Sequence, residues 1–373
     1  MLELKAAKVL LFMEDPGAVN FLAELPRALN AKKITSTVIA DGLAINNLRK
    51  RNVGFETRVV DLNANEIINR VQPKVVVLGT SDNKNSFAFE LIMACRKAQI
   101  TTVGAIDIAA NAQYRFKGNS DNPLKYSPDF LVVPDLMTQK EFENLRYPVD
   151  KIFECGHPHY DYVAAKGKKL ESLKSKRDTR ISLFPNLDPD KLLVPFLSQP
   201  VSQLVKKMME RNDDYTLSGW GDSDRRTDIV LQELIDALSP YRDSINFGVR
   251  LHPKNTLDEF DRYKSQLNFV DNKCDSLELV HASELAIGMS TMLLFEAALM
   301  GVKTLSVLPR ISEADWLPVS ARKSVPIVCT RLELKVFLDE FFSNGEKQIQ
   351  VSSQFDFEPG ALNRLCDFVC NLI

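Results

Sequence analysis

The fold is decided by the stretch ELAIGMSTMLLFEAALMGVKTLSV, residues 284–307. Its apolar start predicts a strand, Gly288 to Thr291 a tight turn, Met292 to Met300 a helix, and Gly301 a stop before a second strand. Two strands joined by a helix in this way form a parallel crossover unit. The turn offers two hydroxyls and backbone N–H groups at the start of the helix, and both favour an anion.

Glu296 is the one charged residue of that helix. A helix that is apolar on nearly all sides is normally buried, and a buried carboxylate needs a partner. Side chains lean toward the start of a helix, so Glu296 can reach a ligand whose phosphate occupies the turn and accept from sugar hydroxyls. A second interpretation places Glu296 at the helix margin, solvated or paired with Lys303 or Arg310. The sequence leaves both open.

Length and composition restrict the class of protein. A chain of 373 residues is long enough for roughly two domains. Hydrophobic residues make up 45% and charged residues 26%, as in a soluble globular protein. The net charge of -2 gives no general attraction to nucleic acid. The six cysteines lack zinc-ligand spacing and are typical of reduced thiols in a cytosolic protein. No run reaches the ~20 apolar residues of a membrane span.

Strands alternate with helices in two series, which predicts an α/β fold made of two doubly wound, Rossmann-like domains that face each other across a cleft. The first domain is expected at 1–160, a Lys-rich linker at 161–178, the second domain at 179–358 and a C-terminal helix at 359–373. The second series is expected to begin with a strand at Arg180 to Leu183. A helix over 201–211 would follow it.

Polar residues follow several of the predicted strands, and ligands of open α/β sheets bind beyond the carboxyl ends of strands. In the first half these are the turn Glu14-Asp15-Pro16-Gly17 and Asp107. In the second half they are the turn at 288–291 and the run 250–253. If the two halves face each other, these loops converge on one site.

Arg250 and His252 are two residues apart and therefore share one face of a strand. A cation beside an imidazole donor suits a phosphate or diphosphate. The alternative for His252 is a strand-end histidine satisfied by backbone groups. Asp15 has an alternative of its own, because Asp directly before Pro is a common start of a helix.

The motifs of the second half carry a resemblance. Arg250-Leu251-His252-Pro253, Ser290-Thr291 and Glu296-Ala297 resemble the His-Pro and Ser-Ser/Thr motifs of CMP-sugar transferases, including sialyl- and Kdo-transferases, and transferases of CDP-linked polyols carry comparable signals. Over almost its whole length the chain resembles a two-Rossmann glycosyltransferase of the GT-B class, or the related UDP-N-acetylglucosamine 2-epimerases, of bacterial surface-polysaccharide pathways.

That resemblance implies roles for single residues. His252 and the Ser290-Thr291 turn would hold the donor phosphate, and Glu296 would bind ribose hydroxyls. The predicted nucleotide and phosphate site comprises Arg250, His252, Pro253, Gly288, Ser290, Thr291 and Glu296. The base that deprotonates the acceptor would be a strand-end acid of the first half, with Asp15 as first choice and Glu14 and Asp107 in reserve. The C-terminal helix would pack back on the first domain.

The long polar segment from Asp107 to Tyr126 is expected to be either a lid over the acceptor or a mobile surface loop. In the lid, Arg115 would contact a charged acceptor. No Asp-x-Asp cluster lies at a strand end, so we expect a reaction that needs no metal ion. We also expect no cofactor, because the nucleotide-sugar is a substrate. The other partner would be a glycan or lipid-linked acceptor, and the protein would be cytoplasmic or at the inner face of the membrane.

Three other functions stay open. A UDP-GlcNAc 2-epimerase is less favoured, because the His-x-Glu-Ala-Gly segment of those enzymes is replaced here by GAIDI, residues 104–108. Their Ser-Gly-Gly turn is likewise replaced by Met289-Ser290-Thr291. The remaining two are a polyol-phosphate transferase and a catalytically silent nucleotide-binding scaffold of a polysaccharide assembly complex.

Overall fold

The computed structural model describes residues 7–58, 62–199, 210–252, 254–317, 324–344 and 358–373. These residues form two compact units. The first contains the residues up to Tyr162 together with Glu358–Ile373, and the second those between Val163 and Phe357. The predicted linker and domain boundaries remain predictions, for which limited proteolysis is the test.

The first unit is built on a parallel seven-stranded sheet with the strand order β3-β2-β1-β4-β5-β6-β7. Its central strands are continuous apolar runs such as Val9–Met13 and Val75–Gly79, every residue of which is buried, as expected where helices cover both faces of a sheet. The strands are β1 Val9–Met13, β2 Ser36–Ala40, β3 Glu56–Thr57, β4 Val75–Gly79, β5 Thr101–Ala105, β6 Phe130–Val133 and β7 Ile152–Glu154.

Helices connect these strands, except for the last one, which follows β7 and continues into the second unit. They are α1 Pro16–Leu22, α2 Leu25–Ala31, α3 Ala44–Lys50, α4 Ala64–Val71, α5 Phe87–Ala98, α6 Leu136–Asn144 and α7 Pro158–Leu173, with short 3-10 helices at Ala112–Tyr114 and Val149–Lys151. Polar caps fix several of the starts. Asp15 caps α1, and Asn63 forms a capping box with Glu66 at the start of α4.

The register of the central strands brings their carboxyl ends level with one another. Met13 at the end of β1 is paired with Ala40 at the end of β2, and Gly79 at the end of β4 with Ala105 at the end of β5. The loops that follow these strands therefore begin at a common edge of the sheet, which is where the predicted acids lie.

The second unit contains a parallel six-stranded sheet with the order β10-β9-β8-β11-β12-β13. The strands are β8 Leu192–Leu197, β9 Ile245–Arg250, β10 Phe269–Asp271, β11 Leu285–Gly288, β12 Lys303–Val307 and β13 Ile327–Val328. The helices are α8 Lys176–Leu183, α9 Arg226–Leu238, α10 Ser276–Ala282, α11 Met292–Leu299 and α12 Arg331–Asn344, with 3-10 helices at Ser239–Tyr241, Leu257–Tyr263 and Ile311–Trp316.

Two parallel sheets with flanking helices confirm the predicted α/β class and the crossover unit at 284–307. The expected strand at Arg180 to Leu183 is wrong, because those residues close α8, which Ser175 caps by accepting from the N–H of Asp178. The strand that opens this sheet is β8, which contains Pro195 and pairs in parallel with β9. The helix expected over 201–211 falls largely on 200–209, outside the described residues.

The last helix, α13 Ala361–Asn371, belongs to the first unit. Leu365, Cys366 and Val369 lie in one hydrophobic cluster with Leu25 and Leu29 of α2. Asp161 holds the start of α13, since its two carboxylate oxygens accept from Gly360 N at 2.9 Å and from Leu362 N at 3.0 Å. Within the described part of the chain, every helix is too short or too polar to cross a lipid bilayer.

Candidate functional site

Acidic side chains gather at the carboxyl edge of the first sheet. Glu14 and Asp15 directly follow β1, Asp41 follows β2 and Asp107 lies just beyond β5. Asp15 interacts electrostatically with both Glu14 and Asp107, so the three predicted candidates for the base form one group. We call Glu14, Asp15 and Asp107 the carboxylate group. Burial, with the neighbouring charge of Asp15, raises the pKa of both Glu14 and Asp107.

Asp107 is paired with Arg115, whose Nη2 lies 3.2 Å from Asp107 Oδ1. The side chains are 18% and 8% exposed, respectively. Burial raises the pKa of Asp107, and the nearby Arg115 opposes that rise only in part. Arg115 also donates to the carbonyls of Thr80 and Ala110, at 3.4 and 3.2 Å. Its guanidinium is thus largely engaged inside the unit, and the predicted contact of Arg115 with a charged acceptor stays a prediction.

Gly17 leaves the space that Asp107 occupies. A Cβ at position 17 would lie 1.9 Å from Asp107 Oδ2, far inside contact distance. The absence of a side chain in the first turn of α1 is therefore what lets the Asp107 carboxylate approach the loop after β1.

Glu14 is half-buried, and its Oε1 has no hydrogen-bond partner among the described residues. Burial is the main cause that raises its pKa, and Asp15 and Asp41 raise it further, while the hydroxyls of Ser81 and Ser86 oppose this. Asp15 has a definite structural task. Its Oδ1 accepts from Ala18 N at 2.9 Å and caps α1, as the alternative interpretation of the sequence predicted.

The predicted phosphate turn, which runs from Gly288 to Thr291, lies at the edge of the second sheet. Gly288 ends β11, and Thr291 caps α11 by accepting from Leu293 N at 3.3 Å. Ser290 N donates to Gln199 Oε1 at 3.0 Å, which joins the turn to the residues after β8. Ser290 and Thr291 are both half-buried.

His252 lies at the same edge, beyond β9. Its backbone N–H donates to Ser198 Oγ at 3.0 Å, and its Nδ1 accepts from Lys254 N at 3.1 Å. Burial lowers the pKa of His252, and Lys254 and Arg250 lower it further, so the ring is neutral at pH 7. Because Ser198 and Gln199 are adjacent, the structure connects His252 with Ser290 through the end of β8.

Arg250 is engaged within the unit. Its guanidinium donates to the carbonyls of Asp271 and Cys274, at 3.3 and 3.0 Å, and lies 3.5 Å from Asp271 Oδ2. These contacts hold β9 to the end of β10, so a phosphate contact of Arg250 stays a prediction. Glu296 is half-buried in α11, where its predicted ribose contact stays untested as well. Pro253 lies outside the described residues.

Sequence reasoning missed a buried cluster of charges beside Ser290. Arg226 opens α9 and donates to Gln199 Oε1 at 3.2 Å, to Ser290 Oγ at 3.1 Å and to Glu313. Glu313 is fully buried and also accepts from Arg310 Nε at 3.1 Å. A cation at the first position of a helix interacts unfavourably with the helix dipole, so the position of Arg226 in the sequence predicts an anionic partner. That is the signal that could have revealed it.

No group of three His, Cys, Asp or Glu is placed to hold a metal ion in the part of the chain that the structure describes. The donors at the second edge are instead hydroxyls, a neutral imidazole, amides and a guanidinium. Such groups suit an anionic oxygen.

Several solved structures have a similar architecture. A UDP-GlcNAc 2-epimerase from Methanocaldococcus jannaschii superposes with a TM-score of 0.67 at 13% identity, over 97% of this chain and 99% of that one. The UDP-GlcNAc 2-epimerase of Neisseria meningitidis, bound to UDP-GlcNAc, gives 0.61 at 15% identity, over 98% and 99%. The wall teichoic acid polymerase TagF, an H444N form soaked with CDPG, gives 0.57 at 15%, over 98% and 88%.

The chain has the GT-B fold. No model of a protein family matches the sequence, and no curated protein sequence matches it. At 12–15% identity the GT-B neighbours show the fold alone.

Proposed function

We propose that this GT-B chain is a metal-independent glycosyltransferase that uses a nucleotide-activated sugar, linked to CMP, CDP or UDP, in the synthesis of a bacterial surface glycan. The observation that carries the proposal is the hydrogen-bonded network that joins His252 to Ser290 through Ser198 and Gln199. It gathers donors for an anion at the edge where ligands of α/β sheets bind.

The second edge would serve the leaving group. When the bond between the sugar and the phosphate breaks, the electron pair stays on the phosphate oxygen, and negative charge develops there. Donors fixed in place before the reaction stabilise such charge without reorganising. The backbone at Ser290 and the first turn of α11 are held in place by Gln199 and by the Thr291 cap, so the Ser290 hydroxyl would be one such donor and the neutral His252 another.

The first edge would serve the acceptor. A carboxylate takes the proton of the acceptor hydroxyl while the oxygen attacks the anomeric carbon. A base works best when its pKa lies near the working pH. The raised pKa values of Glu14 and Asp107 move them in that direction, and Asp15 lies beside both. All three members of the carboxylate group therefore stay candidates for the base. Asp15 would act through Oδ2, because its Oδ1 caps α1.

The test is a thermal-shift panel of CMP, CDP, UDP and GDP with their sugars, followed by assays of donor hydrolysis and transfer. A ligand at a hundred times its Kd stabilises a protein by about 2.7 kcal/mol, a shift of several degrees. We expect one pyrimidine nucleotide to stabilise the protein, and its sugar to be hydrolysed or transferred at the same rate with and without EDTA. Stabilisation without turnover of any donor would favour a nucleotide-binding scaffold instead.

A second candidate comes from the similarity to the epimerases, which covers 97% or more of this chain. Conversion of UDP-GlcNAc to its ManNAc epimer, with no acceptor present, would establish that activity and refute the transferase. The TagF structure with CDPG suggests a related variant, in which the group transferred from a CDP-linked donor is a polyol phosphate. Phosphorus in the product and CMP as the leaving group would identify it.

A further inference from the structure

Arg226 is buried and held rigidly. It is 3% exposed at the start of α9, and Glu313, which is 0% exposed, accepts from its Nε. The ring of Trp316 covers the guanidinium, with 5.1 Å between Arg226 Cζ and the ring centroid. A guanidinium fixed on one edge and one face presents its remaining N–H groups in set directions.

Those N–H groups are directed at the phosphate turn. Nη1 donates to Gln199 Oε1 at 3.2 Å, and Nη2 donates to Ser290 Oγ at 3.1 Å. Gln199 Oε1 also accepts from Ser290 N at 3.0 Å. Arg226, Gln199 and Ser290 therefore form a closed triangle that ties the end of β8 to the turn between β11 and α11.

The triangle determines where the hydroxyl proton of Ser290 can go. A guanidinium only donates, so Ser290 Oγ accepts from Arg226 and must direct its own proton elsewhere. Gln199 Oε1 lies 3.3 Å away, but its two lone pairs already accept shorter bonds from Ser290 N and Arg226. Because Ser290 is half-buried, its proton is available to an acceptor beyond the turn.

We infer that Arg226, held by Glu313, is a positioning residue that fixes the Ser290 hydroxyl as a hydrogen-bond donor to a phosphate oxygen of the nucleotide donor. This inference rests on the proposed function. A phosphate oxygen fits because it only accepts at this point, and the bond from Arg226 polarises the hydroxyl and makes it a stronger donor. Thr291, the neighbouring hydroxyl, has a separate task as the cap of α11.

A double-mutant cycle tests the inference. Arg226→Lys keeps a cation but loses the fork that reaches Gln199 and Ser290 together, and Ser290→Ala removes the hydroxyl itself. We expect each change to weaken nucleotide binding about tenfold and to lower kcat/KM for the donor by at least as much, with the acceptor KM little changed. The double variant should be no weaker than the weaker single variant, because both changes remove one bond. Losses that multiply to about a hundredfold would overturn the inference.

Arg331→Lys is the matched control. Arg331 makes two bonds, of 2.7 and 2.8 Å, to Glu233, a buried carboxylate of the same unit that has no contact with the turn. This change should lower Tm and leave nucleotide affinity unchanged. If Arg226→Lys does not fold, Arg226→Met replaces it in the cycle, because Glu313 then keeps Arg310 as its partner.

Inorganic pyrophosphate separates this inference from the proposed function. Stabilisation of the wild type by pyrophosphate, lost in Arg226→Lys and in Ser290→Ala, with no response to any nucleotide, would refute the transferase and support the positioning role. Nucleotide binding that Arg226→Lys leaves at full strength would refute the positioning role, and turnover of the donor by that variant would support the transferase at the same time. No response to either ligand would overturn both.

Discussion

At the scale of single residues, the first sheet edge gathers three carboxylates, of which Asp107 is paired with the guanidinium of Arg115. Asp107 takes the ion pair, Asp15 takes the helix cap, and Glu14 has an oxygen without a hydrogen-bond partner among the described residues. Burial raises the pKa of both Glu14 and Asp107, which moves each of them toward the working pH at which a general base is most effective.

Asp15 can be tested for charge and for capping separately. Asn caps a helix about as well as Asp, whereas Ala loses roughly 1 kcal/mol of stability. We expect Asp15→Asn to keep Tm and nucleotide affinity and to lower kcat about 100-fold, if Asp15 is the base. Asp15→Ala should lose stability in addition. Normal kcat in Asp15→Asn would transfer the role to Glu14 or Asp107, whose Gln and Asn variants are then assayed in the same way.

Glu14 should make stability depend on pH. Burial raises its pKa above the unfolded value of 4.5, so the folded protein holds the proton more tightly than the unfolded chain. The stability due to that proton is complete below pH 4.5 and is lost as the pH rises through the folded-state pKa. Glu14→Gln resembles the protonated form, so its Tm should exceed that of the wild type at pH 8 by about 2 °C or more.

The difference between Glu14→Gln and the wild type should shrink as the pH is lowered to 5. Glu90→Gln, which alters an exposed carboxylate of α5, is the control for the loss of one surface charge. Calorimetry at pH 5 and pH 8 measures all three proteins. A Tm advantage of Glu14→Gln that does not change with pH would show that Glu14 is not protonated more readily in the folded state.

Single residues also show how far the sequence could lead. The Asp15 cap and the Ser290-Thr291 turn were predictable, because caps and turns depend on neighbours in the chain. Arg226, Gln199 and Glu313 were not, since they are far apart in sequence and meet only when β8, β11 and α9 have assembled. The partners of Arg250 were hidden for the same reason, because Asp271 and Cys274 approach it only through the pairing of β9 with β10.

At the scale of elements, the order of strand, turn, helix and strand over 284–307 was predicted correctly, and the structure has it as β11, α11 and β12. The failure at Arg180 to Leu183 has a physical cause. The segment is short, so its pattern does not separate strand from helix, and Pro195 argued against the true strand, because proline cannot donate in a sheet. The sheet accepts it through pairing with Gly248 of β9.

Substitution of Gly17 tests the packing of a whole element, because the missing side chain at position 17 lets α1 approach Asp107 closely. In an unconstrained helix Gly→Ala is stabilising by up to about 1 kcal/mol. Here the new Cβ would collide with the Asp107 carboxylate, so we expect Gly17→Ala to lose about 1 to 3 kcal/mol and to reduce kcat by tenfold or more. Urea unfolding and steady-state kinetics measure the two effects.

Gly54→Ala is the control for Gly17, since a Cβ at position 54 meets nothing within 4 Å. It should be neutral in both measurements. A Gly17→Ala protein that is more stable and fully active would show that Asp107 can move away at no cost, and that its position is not important for the reaction.

At the scale of the whole molecule, the alternation of strands and helices was enough to predict two doubly wound units, because a parallel sheet needs a crossover helix between its strands. The orientation of the two units across a cleft stays a prediction. The alternation does not predict that the last helix, α13, belongs to the first unit, which only the family resemblance implied. That helix follows 195 residues of the second unit, and its apolar face together with the bonds that Asp161 accepts connects it to the first unit.

The return of α13 gives the last prediction. Deleting residues 358–373 removes Leu365, Cys366 and Val369 from the cluster they share with α2, together with Phe368, whose ring stacks on Phe153 at 4.7 Å. Burying one such side chain contributes about 1.5 to 3 kcal/mol. The loss of several therefore removes a large part of the free energy of unfolding of a domain, which is about 5 to 15 kcal/mol. The first unit should unfold at a much lower temperature.

Calorimetry distinguishes the two units, because a nucleotide bound to the second unit raises only the transition of that unit. We expect the truncated chain to keep the transition that nucleotide shifts and to lose or lower the other. Asp367→Ala is the control, since Asp367 pairs with Lys32 on the exposed side of α13 and such surface pairs contribute little. Equal melting of the truncated and complete chains would show that the first unit is stable without α13, whereas loss of both transitions would show that the units do not unfold independently.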